Sequence, residues 1–328
     1  MKNTLLIGII FLLIGCESDF DLIHDGDPIP IVYCLLNPGE ETQTIRMSKS
    51  FVSDKGQGLP DSAELIYYQS KVNLAIELMD GDQAIDHTEF NAVAVQKEPG
   101  RFSDEYHIVY QTTMKVAGNS TYRLIIYIAG ENKLIYAYTK TPGDFSLVDP
   151  AYPKLRQIHL MPDHNPVFHW TQAENASIYQ LCLQLNYYEI DSLETNLKSE
   201  VVSLNTLIKT ENPGNYYTYD INSTQFYIAL GNSIEEDISL LRSFHSLDAF
   251  VVAGGEELAI HYQTQHEGDP FRIMDFTNIQ NGIGVFSSIS YSYTRGFKVT
   301  KQTIDSLAYG QFTKQLNFLD RDGNRKDQ

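Results

Sequence analysis

Two short runs carry five tyrosines, Tyr187-Tyr188 and Tyr216-Tyr217-x-Tyr219. Rings grouped in this way can stack on a sugar or a peptide and bond it through their hydroxyls. Tyrosine also fills strand surfaces by propensity alone. On residue type and spacing, Tyr187, Tyr188, Tyr216, Tyr217 and Tyr219 are the expected ligand-binding residues.

His159, Asp163, His164 and His169 fall within eleven residues and carry donor atoms that zinc accepts. A site needs several of them to converge. His169 alternates within a strand-like run, and Asp163-His164-Asn165 precedes a proline as a turn does, so no metal site is expected. Asp80, Asp82 and Asp86 in MDGDQAID begin like a calcium loop, as do Asp320, Asp322 and Asn324. An EF-hand loop needs glycine at its sixth position and glutamate at its twelfth. The first run has neither, and Arg325 takes the glycine position in the second, so turns account for both. Glu256-Glu257 offers two carboxylates for acid/base work, but neighbours on a strand point to opposite faces. The nucleophile-elbow, zincin, phosphate-loop and dinucleotide motifs are absent. No catalytic residue, metal or cofactor is expected, and the chain is read as a non-enzyme. Cys34 in IPIVYCLLN and Cys182 in YQLCLQL sit in strand-like runs far apart, and read as buried thiols.

Cys16 has other chemistry. Lys2 supplies a positive start and Leu5 to Ile14 an apolar run of about ten residues, half the roughly 20 needed to span a bilayer. That is the form of a secretory signal peptide. Its end, Leu13-Ile14-Gly15-Cys16, resembles the bacterial lipobox, which implies cleavage before Cys16 and acylation of it. Three acyl chains exceed what stable anchoring takes. Glu17, Asp19, Asp21, Asp25 and Asp27 follow as an acidic tether. They resemble the acid-rich signal that sends Bacteroidota lipoproteins to the cell exterior, and an ordinary solvated linker reads the same way. With 24 basic and 42 acidic residues the chain repels nucleic acid.

The elements that must position these residues are strands. Runs of five to nine aromatic and β-branched residues recur between turn signals, the pattern of β-sandwiches. The expected organisation is a signal peptide at 1–15, a tether at 16–27, a first sandwich at 28–142, a second β domain at 143–313 and a polar tail at 314–328. In the first, Val72 to Leu78 alternate and Asp80-Gly81 turns a hairpin. Gly118, Tyr122 and Leu124 are similar to the late strand of immunoglobulin-like modules. In the second, Trp170 followed by alternating Tyr179, Leu181, Leu183 and Leu185 resembles fibronectin type III domains. Near-helical spacing at 223–247 predicts a short helical insertion. HSLDAFVVAGGEELAIHYQT reads as a return to strand, with Gly254-Gly255 as a bulge or tight turn. The fold class is all-β, two tandem sandwiches.

Four stretches carry a wider resemblance: the lipobox, IVYCLLNPGEETQTIRMSKSF, VVAGGEELAIHY and FTNIQNGIGVF. They are similar to Bacteroidota lipoproteins of the domain-of-unknown-function 4249 type, with a departure at Cys34-Leu35, where many relatives carry glycine. The resemblance implies an outer-membrane address and tandem sandwiches, and no catalytic residues. The function expected is binding: an accessory lipoprotein for a TonB-dependent transporter or its cargo. An adhesin or envelope-assembly component is the alternative, and a glycan- or peptide-active enzyme the remoter one.

Overall fold

The computed structural model describes residues 28–50, 67–68, 71–96, 106–151, 156–191, 194–208, 216–267 and 276–324. The leader, Cys16 and the tether lie outside the described residues.

Alternation writes the first strands: β1 (Pro30–Leu36) buries Val32, Cys34 and Leu36 and exposes Tyr33 and Leu35. It turns at Asn37-Pro38-Gly39, where the Asn37 side chain accepts the Gly39 N–H and Gln43 bonds both main-chain groups of Asn37. β2 (Thr42–Lys49) follows, then β3 (Val72–Asp80), β4 (Gln83–Gln96), β5 (Tyr106–Thr113), β6 (Thr121–Ile128) and β7 (Lys133–Lys140). Gly81 takes the positive φ that the β3–β4 hairpin needs. β4 serves two sheets. Its residues up to Phe90 pair with β3, and those from Asn91 pair with β5. The sheets β1-β2-β5-β4 and β4-β3-β6-β7 therefore enclose one core of Val32, Ile45, Leu74, Ile76, Leu124 and Ile126. This is a β-sandwich. Tyr122, 1% exposed, accepts the Ala117 N–H on its hydroxyl at 2.8 Å and fixes the entry to β6 as a tyrosine corner.

The second unit contains β8 (Leu147–Asp149), β9 (Gln157–Ile158), β10 (Val167–Trp170), β11 (Ile178–Ile190), β12 (Thr195–Ile208) and β13 (Tyr217–Asp220). Helix α1 (Ser223–Ser233), β14 (Leu241–Gly254), helix α2 (Glu256–Glu267), β15 (Ile283–Val299) and helix α3 (Lys301–Tyr309) follow. The order β13-β10-β8 faces β12-β11-β14-β15, a second sandwich around its own core. Trp170 is fully buried, its ring 6.1 Å from Tyr179. The Tyr179 hydroxyl accepts the Ala173 N–H at 2.9 Å, so this sandwich has a tyrosine tie of its own.

Three elements differ from the sequence reading. The helical insertion ends at Ser233 instead of 247, and Leu241 onward is strand, because Leu247, Ala249, Val251 and Ala253 alternate into the core. The expected return to strand through VVAGGEELAIHY stops at Gly254. A Cβ there would meet Ile178 and Leu258, and the good helix formers that follow turn into α2. The tail expected to be polar sends Leu316 and Phe318 into the core. Arg242, 1% exposed, holds that segment. Its guanidinium donates to the carbonyls of Leu316 and Glu235 and pairs with Glu189 at 2.9 Å.

β15 belongs to both sandwiches. Ile283 to Ser288 run parallel to β1, and Ile289 to Phe297 pair with β14. Just before it, the Gln280 N–H donates to the Tyr136 carbonyl, and the Asn278 and Asn281 side-chain amides donate to the carbonyls of Tyr138 and Leu134. The FTNIQNGIGVF stretch thus seals the outer edge of β7 and adds a strand beside β1. Gly284 makes this possible: at φ +116° its ideal Cβ would lie 2.0 Å from the Val32 carbonyl oxygen. The first sandwich therefore draws on residues 278–288 as well as on 28–142.

Candidate functional site on the outer face of the second sandwich

The five tyrosines do not form one platform. Tyr217 is 5% exposed and packs on Tyr179 and Trp170 in the core. Tyr187, also 5% exposed, packs edge-on against Phe318. Tyr188 points to the opposite face of β11, against His245. Tyr219 is packed against the core and Tyr216 is exposed. Strand alternation separates neighbours onto opposite faces, and the second sheet covers one of those faces.

The other early candidates resolve into structure. His159 bonds Thr300, and His169 bonds Thr218. His164 lies beside His159 with ring centroids 4.9 Å apart. Among the described residues no group of three potential ligands is placed to hold a metal. Asp80-Gly81 turns the β3–β4 hairpin, and Asp86 accepts the next N–H. Asp320 accepts the main-chain N–H groups of Asp322 and Asn324 and the Tyr309 hydroxyl, which explains that pattern as a turn. Glu256 and Glu257 begin α2 instead of sharing a strand. Glu256 is exposed, whereas Glu257 turns inward and accepts from Thr139 at 2.9 Å and Ser287 at 3.1 Å. Burial raises the Glu257 carboxyl above its ordinary range. It ties β7 and β15 together, and it does not converge with Glu256. Burial pushes the Cys34 thiol up to about 12 and raises that of Cys182, so both stay protonated and poorly nucleophilic at neutral pH.

A different aromatic group is assembled on the outer face of the sheet β12-β11-β14-β15. Register places Cys182, Phe250 and Tyr293 in one row and Gln180, Val252 and Tyr291 in the next. Phe250 and Tyr293 stack with centroids 5.0 Å apart, and Tyr291 and Tyr293 at 5.7 Å. The Arg295 guanidinium lies 5.3 Å over the Tyr293 ring, a cation–π contact. Tyr293 is 50% exposed. Burial, with the nearby Glu40 carboxylate as a lesser cause, holds the Tyr291 hydroxyl above its usual range, so it remains a donor at neutral pH. Beside Tyr291 the face continues into an apolar hollow of about 210 Å³ under α2, lined by Ile178, Val252, Leu258 and Tyr262. The rings stack on one another, flanked by a cation and an apolar recess. That combination suits an extended chain with alternating apolar and polar groups. The signal was present in the sequence as SYSYT, whose period of two puts Tyr291 and Tyr293 on one face.

No protein-family model matches this sequence, and no curated protein does.

Proposed function

We propose that this protein is a lipid-anchored binding lipoprotein of the outer membrane, held through Cys16, that serves a TonB-dependent transporter or its cargo. The observation that carries the binding role is the half-exposed Tyr293, stacked on buried Phe250 and flanked by Tyr291 and Arg295, beside an apolar hollow. The lipobox-like ending at Cys16 and the similarity to Bacteroidota lipoproteins support the address.

The test is a native purification of the C-terminally tagged full chain from detergent-solubilised membranes, with mass spectrometry of what accompanies it. A near-stoichiometric transporter is expected. The Tyr293→Ser/Arg295→Ser variant should fold and lose that partner. A wild-type chain that brings down no envelope protein overturns the accessory reading. Equal recovery by wild type and variant overturns the assignment to this face. Cys16→Ala should leave the protein unacylated and released from the membrane fraction; retention there sinks the anchoring step.

A further inference from the structure

We propose that the free edge of β12 pairs with β12 of a second copy of this chain, antiparallel, about a two-fold axis through Ser199. Long open edges are pairing templates that proteins normally shorten, cover or break with proline. The chain covers the β7 edge with residues 278–281. It leaves β12 as the opposite end of the sheet. Among the described residues, this strand of 14 residues without proline pairs with β11 alone. Helix α1 does not substitute for a strand there. Its Phe226 and Leu230 join the same core as Val202 and Leu204, so it packs on the inner face of β12.

The sequence of β12 selects the occupant and the register. Residues 197, 199, 201 and 203 face outward, and 198, 200, 202 and 204 face the core side. A two-fold axis normal to the sheet matches residues of the same face. Centred on Ser199, it sets Leu197 opposite Val201 and Lys198 opposite Glu200, each twice. Leu197 is 56% and Val201 46% exposed in the single chain, and this pairing covers both. Centring one residue earlier sets Lys198 against itself, and one residue later sets Glu200 against itself; like charges directly opposite are unfavourable. Lys198 already stands 4.0 Å from Glu189 with half its side chain exposed, so it can also reach a partner's carboxylate. The resulting contact is isologous and closed, which limits assembly to two copies.

The test uses the full chain in detergent. Ser199→Cys should form a disulfide-linked dimer under mild oxidation, because two residues at the axis face each other across neighbouring strands. Ser203→Cys should not, since its two copies would lie about 27 Å apart along the paired strands. In sedimentation, Lys198→Glu and Glu200→Lys should each weaken the dimer about tenfold, and the double swap should restore it. A monomer at every concentration overturns the proposal. So does equal cross-linking at 199 and 203, or a double swap as weak as the singles. Cross-linking of Ser199→Cys to a different protein assigns the edge to a foreign strand and also overturns self-pairing.

Discussion

The two sandwiches reach closure by different means. The second buries a cluster of large rings, Trp170, Tyr179, Tyr217 and Phe168, in a core of its own, and Arg242 pins its C-terminal segment. The first has a mainly aliphatic core, with Phe90, Tyr122 and Phe286 among its members, and needs a borrowed strand, held by asparagine amides and passing through one glycine, to close its edges. One is secured by side-chain volume and the other by main-chain geometry. Their weak points should differ accordingly.

Gly284→Ala is the strongest way to break the first. A methyl group 2.0 Å from the Val32 oxygen at φ +116° cannot fit without separating β1 from β15. We expect a loss of about 3–6 kcal/mol, read by denaturant unfolding with exchange protection lost first in β1 and β7. Protection lost first in β11 and β14 would refute the contrast. Arg242→Ala is the counterpart in the second. It leaves Glu189 and two carbonyls without their buried cation and should cost about 3–5 kcal/mol. Limited proteolysis should then cut near Leu316 before any site in the first sandwich.

The two tyrosine ties give a finer comparison. Tyr179→Phe and Tyr122→Phe each leave a main-chain N–H without its acceptor, at a cost of about 1–3 kcal/mol. The Tyr179 change should cost more, because Ala173 is wholly buried. Equal thermal shifts for the pair would erase that distinction.

Glu257→Gln has the smallest effect and concerns the joint. Its folded carboxyl is raised above the unfolded value, so the native state holds the proton more tightly. Stability from this group is therefore full below the ordinary glutamate range and declines as pH rises through the raised value. The glutamine variant should lose that decline and match wild type in acid. Parallel stability profiles across the whole range would dismiss the assignment.

What was legible in the sequence was local. Asp80-Gly81 announced its hairpin, and Trp170 with Tyr179 announced a sandwich core, because turn chemistry and alternation act over a few residues. The crossing of β15 was not legible, since a parallel pairing between Ile31 and Ile283 leaves no short-range mark. GGEELAIHY was misread because the apolar Leu258, Ala259 and Ile260 suit a strand as well as a helix, and the packing behind Gly254 decides between them. The tyrosine cluster failed for a related reason: proximity in sequence said nothing about which rings the opposite sheet would cover, and Tyr187 and Tyr217 were covered.

The shared strand also sets a timetable. A chain emerging from its N-terminus delivers β1 first, yet the neighbour that completes it lies about 250 residues later. Folding one unit after another in order of synthesis does not suffice here. Until β15 arrives, the first sandwich waits with both β1 and β7 unsealed, so the sandwich begun before the second is finished only together with it.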